Sequence, residues 1–315
     1  MEKLYVQTPL LESFALGLYL PGRIYLKMEA LQPSGSFKNR GIGNLCKHYA
    51  KQGAKHFLST SGGNAGLAAA YAGRKLGIPT TVIVPESTSS FMKEKIQAEG
   101  ARVIVQGANW DEADQHAQEM LAKKEFSYIA PFDHPLIWEG NSSLIHEVAA
   151  EGVHPDAILV AVGGGGLLCG VTAGIHAVGW NSTDVIAVET VGADSFYQSV
   201  KTGSLVTLES IRSIATSLGA KRVAQQALDW AKRHPIYPRT VTDRAAVEAC
   251  LRFADDHRIL VEPACGAVLS LIYSQHEELK KYRTILVIVC GGSGVSRALL
   301  KKWTDGVGLK NNAGS

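Results

Sequence analysis

Apolar residues along the chain fall into short dense runs separated by longer stretches of helical spacing. "KHFLST" (55–60), "TTVIVP" (80–85), "ARVIVQG" (101–107), "DAILVAV" (156–162), "DVIAVET" (184–190) and "RTILVIVC" (283–290) are rich in β-branched residues. Most are apolar nearly throughout. Strict alternation would mark strands with one wet face, whereas continuous apolar character marks strands of a parallel sheet covered on both faces. Between them lie helical stretches such as "AGLAAAYAGRKLG" (65–77), which Gly77 ends and Pro79 keeps from continuing. The alternation of strand and helix predicts an α/β architecture of mostly parallel, twisted, doubly wound sheets. There is no internal repeat and no low-complexity segment.

A length of 315 residues predicts about two domains and ample material for a large core. Lys+Arg at 32 against Asp+Glu at 29 leaves little net charge and no long basic run, which argues against nucleic acid or an anionic membrane as a partner. No apolar run reaches the length of a membrane span, and the N-terminal residues lack the layout of a secretion signal. The cysteines (46, 169, 250, 265, 290) are odd in number and widely spaced, and none forms a C-x-x-C pair. Zinc and disulfides are therefore not expected, and a reducing, cytoplasmic location is. A small-molecule enzyme is the expectation.

Three glycine-rich turns follow strands: "STSGGNAG" (59–66), "VGGGGLLCG" (162–170) and "VCGGSGVS" (289–296). In open α/β sheets ligands gather at such turns, beyond the carboxyl ends of the strands. Gly163, Gly164, Gly165 and Gly166 let successive backbone N–H groups converge without Cβ obstruction, and a helix beginning near Leu167 would add its positive N-terminus; a phosphate is the expected guest. A plain strand-to-helix turn needs only one or two glycines. Glu189, at the end of the next strand, invites a dinucleotide reading, but the G-x-G-x-x-G register fails: counted from Gly163 the sixth position is Leu168, and from Gly164 it is Cys169. A nicotinamide-binding oxidoreductase survives only as an alternative. Ser61, Gly62, Gly63 and Asn64 suit a carboxylate at a helix start, or else Ser61 or Asn64 is simply an N-cap. Taken alone, Cys290 reads as a small buried hydrophobe.

"LQPSGSFKNRG" (31–41) places Lys38 on a turn of small residues. A delivered amine, a phosphate loop and a carboxylate loop together fit pyridoxal phosphate. Moreover, "PSGSFKNRG", "SGGNAG", "VGGGGL", "ETVGADS" and "CGGSG" occur in the order found in fold-type II pyridoxal-phosphate enzymes. From "TPL" (8–10) to the last glycine loop the chain resembles the serine/threonine dehydratase family, in particular the serine dehydratases and serine dehydratase-like proteins. The resemblance implies a tryptophan synthase β-like fold, with a large domain of residues 1–35 plus 133–315 and a small domain of residues 36–132 inserted in it.

By the same resemblance, Lys38 would carry the cofactor as a Schiff base and act as the base at Cα. Phe37 and Ser217 would lie against the pyridine ring, Asn64 would bond its 3-oxygen, and Cys290 would meet its nitrogen. Gly163, Gly164, Gly165, Gly166 and Leu167 would hold the phosphate, and Ser61, Gly62, Gly63, Asn64 and Ala65 the substrate carboxylate. Glu189, Ala193, Ser195, Leu218 and Ala220, with the Gly163 carbonyl, match the family's monovalent-cation site, expected to hold potassium. The implied reaction is dehydration and deamination of L-serine to pyruvate and of L-threonine to 2-oxobutanoate, by a homodimer. Two departures bear on substrate choice: Gly62 stands where one branch of the family has Ala, and Ser217 is more polar than the family leads one to expect. A bulkier β-hydroxy amino acid, or racemisation of serine or threonine, is the alternative within the class.

Overall fold

The computed structural model describes residues 2–122 and 126–309. Two compact units emerge, Met1–Val6 with Gln32–Asn141 and Gln7–Leu31 with Ser142–Ser315. Residues 36–132, the expected small domain, lie within the first unit, which also takes in 32–35 and 133–141.

The larger unit is built on a six-stranded sheet. Its strands are β1 (Leu10–Glu12), β2 (Arg23–Lys27), β7 (Ala157–Ala161), β8 (Asp184–Thr190), β9 (Ile236–Val241) and β10 (Thr284–Ile288), in the order β1-β2-β10-β7-β8-β9. Only β1 runs antiparallel to its neighbour. Every residue of β7 is buried, as the unbroken apolar run predicts for a central strand. β9 contains Pro238, which is tolerable because β9 is the edge of the sheet. The helices of this unit are α1 (Phe14–Gly17), α7 (Gly166–Ala177), α8 (Ser195–Thr202), α9 (Gln225–Ala231), α10 (Asp243–His257), α11 (Pro263–Tyr273) and α12 (Arg297–Gly306).

Lys27 is fully buried here, as are Glu29 and Glu189. Lys27, at the end of β2, donates from Nζ to the Thr8 carbonyl at 2.6 Å and pairs with Glu147 at 2.7 Å. A buried ammonium is tolerated only when paired and hydrogen-bonded in this way.

The smaller unit carries a four-stranded parallel sheet of β3 (Phe57–Ser59), β4 (Thr80–Val84), β5 (Arg102–Val105) and β6 (Ser127–Tyr128), ordered β5-β4-β3-β6. Its helices are α2 (Lys38–Lys51), α3 (Asn64–Leu76), α4 (Ser90–Ala98) and α5 (Trp110–Leu121); α6 spans Pro135–Ala150. Small residues on α3 (Ala65, Ala68, Ala69, Ala72) pack with Ile42, Leu45 and Cys46 of α2 and with Phe57 of β3. Gly77 closes α3 in the left-handed conformation, as its position in the sequence predicts. No described helix is long and apolar enough to cross a membrane.

Candidate functional site

Lys38 is the first residue of α2. The turn before it is held by Asn39, whose Oδ1 accepts from the Ser34 amide at 2.9 Å and from the Ser34 hydroxyl at 2.6 Å. Gly35 takes a φ of +78°, a conformation most side chains avoid. The small residues of "PSGS" thus make a tight, locally bonded turn that starts a helix on a lysine. Lys38 Nζ donates to the Pro131 carbonyl at 2.5 Å and lies 5.2 Å from the Phe37 ring centre. Its side chain is half-buried, and the Ser36 hydroxyl close by in sequence is fully buried and has no partner among the described residues.

The loop "TSGGNA" joins β3 to α3. Its N-cap is Gly63, with no side-chain cap bond, so neither Ser61 nor Asn64 serves as the simple cap considered above. Instead the Ser61 hydroxyl accepts from the Gly63 amide at 3.3 Å. A Cβ on Gly66 would lie 1.8 Å from the Ser61 carbonyl oxygen, so the turn closes onto the helix at a spacing that only glycine allows. Ser61, Gly62, Gly63 and Asn64 remain half-exposed, while Ala65 is buried. One support of this loop carries no local sequence signal. Thr60 donates to Asp114 of α5 at 3.0 Å and meets the Tyr128 hydroxyl at 2.9 Å, and Tyr128 donates to Asp114 at 2.7 Å. Burial pushes the Tyr128 phenol up, so it stays a donor.

In the larger unit, Gly163–Gly165 connect β7 to α7, which begins at Gly166, one residue before the expected start. Gly165 is left-handed (φ +87°), and a Cβ there would lie 2.8 Å from Val223 and 2.9 Å from Ala227. The Gly164 carbonyl accepts from Ala224 at 3.0 Å and the Gly165 carbonyl from Cys169 at 2.9 Å, so the loop's carbonyls are turned inward and used. By contrast, among the described residues the N–H groups of Gly163, Gly164 and Gly165 donate no hydrogen bond. Three successive amide donors at the start of a 12-residue helix, with Leu167 buried just beyond, form a cradle for an anion.

The order of strands puts other candidates beside that cradle. β10 and β8 flank β7, so Cys290, just past the end of β10, and Glu189, near the end of β8, stand on either side of the loop's base. Cys290 is 5% exposed and its Sγ lies 3.3 Å from that of Cys265; all five cysteines are free. A Cβ on Gly163 would meet the Ser217 carbonyl at 3.0 Å and Leu218 at 3.1 Å, which places the 3₁₀ turn Thr216–Leu218 directly against the loop. The Ser217 residue itself is exposed.

Glu189 is fully buried, and its two oxygens accept from Phe196 N–H at 3.0 Å and Tyr197 N–H at 2.6 Å, at the N-terminus of α8. Burial still pushes the carboxyl up to about 8, because no cationic side chain among the described residues pairs with it. Ala193 folds back on Thr190 (N···O 2.9 Å), bringing Ala193 and Ser195 within one turn of Glu189, and Ala220 donates to the Leu218 carbonyl at 2.8 Å. A buried carboxylate with no cationic side chain beside it is an oxygen ligand suited to a hard monovalent cation. The described residues thus fit both expected guests: unused amides for a phosphate, and an uncompensated carboxylate for a cation.

Comparison with known proteins agrees with the chemistry. A family model described as pyridoxal-phosphate dependent enzyme matches residues 1–291. The chain is 48% identical over 321 residues to the human L-serine dehydratase/L-threonine deaminase, covering 98% of each. It is 49% identical over 304 residues to the human serine dehydratase-like protein, covering 94% of this chain and 92% of the relative. Among solved structures, a fungal L-serine ammonia-lyase from Rhizomucor miehei is similar with a TM-score of 0.91 at 37% identity, over 96% of this chain and 99% of that one.

Proposed function

The chain belongs to the pyridoxal-phosphate-dependent enzyme family, with the α/β fold of its fold-type II members, and from that membership we propose that it converts L-serine to pyruvate and ammonia and L-threonine to 2-oxobutanoate and ammonia. The observation that carries this reading is the similarity of the whole chain, at 48% identity, to a protein named for those two activities.

Bound pyridoxal phosphate supplies an aldehyde for an amine to condense with and a conjugated ring to take up electron density from Cα. The residues assigned to hold it are Phe37 and Ser217 against the ring, Asn64 at the 3-oxygen and Cys290 at the ring nitrogen. The unused amides of Gly163, Gly164 and Gly165, with Gly166 and Leu167, take the phosphate. Lys38 supplies the protein's amine.

Ser61–Ala65 grip the substrate carboxylate at the N-terminus of α3, where the backbone dipole favours negative charge. That grip fixes rotation about Cα, so that the C–H bond to be broken is held in one orientation toward the base. Lys38 Nζ accepts the Cα proton. The β-hydroxyl leaves with a proton as water, the released enamine tautomerises, and one water is taken up as ammonia departs. Atoms balance: serine becomes pyruvate plus ammonia with no net water.

A potassium ion held by Glu189, Ala193, Ser195, Leu218, Ala220 and the Gly163 carbonyl would give the Glu189 carboxylate its missing positive partner and brace the phosphate loop from below. We also assign a homodimer, supported by the exposed apolar side chains of Phe14 and Leu18, and a reducing cytoplasmic location, supported by five free buried cysteines.

The test is to supply pyridoxal phosphate and follow 2-oxo acid release from L-serine and L-threonine, in potassium and in a bulky organic cation. Pyruvate and 2-oxobutanoate formation that drops at least severalfold without potassium is expected. Cofactor uptake with no oxo acid from either substrate would overturn the substrate assignment and keep the family.

A further inference from the structure

The residues assigned to the cation come from two segments. Glu189, Ala193 and Ser195 stand at the end of β8 and the start of α8, whereas Leu218 and Ala220 belong to the stretch between α8 and α9. That stretch, residues 203–224, has no regular structure beyond the 3₁₀ turn Thr216–Leu218, so neither a sheet nor a long helix fixes where Leu218 and Ala220 lie. Hydrogen bonds must help to do so. Across residues 211–220 the bonds that leave the segment are those of Arg212, Ser213 and Ile214, among the described residues.

The Arg212 N–H donates to the Gly192 carbonyl at 2.9 Å, and a Cβ on Gly192 would lie 3.1 Å from the Arg212 carbonyl oxygen, so the two segments meet backbone to backbone. One residue on, Ser213 joins three partners. Its Oγ lies 2.6 Å from Asp243 Oδ1 and 2.8 Å from the hydroxyl of Thr190, a fully buried residue next to Glu189. It also accepts from the Ala215 N–H at 3.0 Å. A carboxylate only accepts, so the Ser213 proton goes to Asp243 and Thr190 donates to Ser213. The one proton and both lone pairs of the Ser213 hydroxyl are then used. Asp243, the first residue of α10, accepts with its other oxygen from the Ile214 N–H at 3.0 Å. Its two oxygens thus hold two consecutive residues of the segment.

We propose that Asp243 is a positioning residue: through Ser213 and Ile214 it fastens residues 211–220 to the end of β8, and so sets how tightly Leu218 and Ala220 close on a cation beside Glu189. This rests on the assignment of potassium to Glu189 and its neighbours. Ligands on a segment free to move lose conformational freedom when the ion binds, and that loss weakens binding; a segment already fastened has less to lose. Asp243→Ala or Ser213→Ala removes the fastening and leaves every residue assigned to the ion unchanged. Asp243→Asn keeps one acceptor and replaces the other by an amide.

The experiment is melting of the full chain, loaded with pyridoxal phosphate, across potassium concentrations, with tetramethylammonium holding the ionic strength constant. The rise in melting temperature with potassium gives the ion's dissociation constant. In Asp243→Ala and Ser213→Ala that constant should be about tenfold higher than in wild type, and in Asp243→Asn it should fall between. Ser13→Ala, which removes the hydroxyl bonded to His257 at the other end of α10, should lower the melting temperature and keep the wild-type constant. A wild-type constant in Asp243→Ala, or a constant raised as much in Ser13→Ala, overturns the proposal. If Asp243→Ala does not fold, Asp243→Asn decides, and a wild-type constant there overturns it. If wild-type melting does not respond to potassium, the cation assignment fails and this inference with it. If it responds and the Asp243 and Ser213 variants respond equally, this inference alone fails.

Discussion

A lysine is poorly suited to the first position of a helix, where unpaired amides already present positive charge, yet α2 begins on Lys38. The penalty is on the order of a few tenths of a kcal/mol, and it is repeated by nothing else in the turn, whose residues are all well chosen for their conformations. The amine chemistry proposed for Lys38 accounts for the exception. Lys38→Ala should keep the fold, with a melting temperature equal to or slightly above wild type, and should lose the covalent cofactor. Borohydride reduction followed by intact-mass measurement checks this: wild type gains the mass of one reduced cofactor, and the variant gains none. A reduced adduct in the variant would move the amine to another lysine. Lys38 was legible because the evidence for it is local, a turn and a side chain eleven letters long. The Cys265 contact was not. It joins residues 25 apart in sequence through sulfur atoms that neighbouring residues do nothing to announce.

The glycine loops were legible as elements for a related reason: a strand, a run of glycines and an amphipathic stretch are each local patterns, and they specify a strand–turn–helix without knowledge of the rest. β3, β4, β5, β7, β8 and β10 all fall inside the runs read as strands. The strands that were missed lack that signal. β6 has two residues, β1 three, β2 begins and ends on charged side chains, and β9 contains a proline. Their pairing comes from neighbouring strands, which no window along the sequence contains. Among Gly163, Gly164, Gly165 and Gly166, Gly165 alone has a positive φ, a distinction equally invisible in "GGGG". Gly165→Ala must place a methyl 2.8 Å from Val223 in a left-handed conformation, at a cost of about 1–3 kcal/mol. Its effect should appear twice: in a lower melting temperature without cofactor, and in a cofactor dissociation constant at least tenfold higher. An alanine variant with wild-type affinity would mean that the loop's amide geometry does not hold the phosphate.

At the scale of the whole molecule, stability should depend on pH through histidines in both units. Burial holds His134 of the smaller unit, and His234 and His257 of the larger, below the ordinary imidazole value of 6.5. His234 donates from Nε2 to the Thr183 carbonyl (2.9 Å), which fixes that nitrogen as the N–H, and its ring lies 5.1 Å from that of His176. His257 stacks on Phe253 with ring centres 4.2 Å apart and meets the Ser13 hydroxyl at 2.8 Å. Each takes its proton at a lower pH when folded than in the unfolded chain, where it does so as the pH falls through 6.5. Where the unfolded state binds more protons, stability rises with pH, so these residues stabilise the fold fully above 6.5 and progressively less below it. Glu189, raised to about 8, acts in the opposite sense over the same range, so in a Glu189→Gln background the urea midpoint should be lower at pH 5.5 than at pH 7.5. His234→Gln, which can still donate to the Thr183 carbonyl but cannot titrate, should narrow the gap between the two midpoints whatever it does to either one. Equal midpoints in that background would show that these rings protonate as readily in the folded protein as in the unfolded chain.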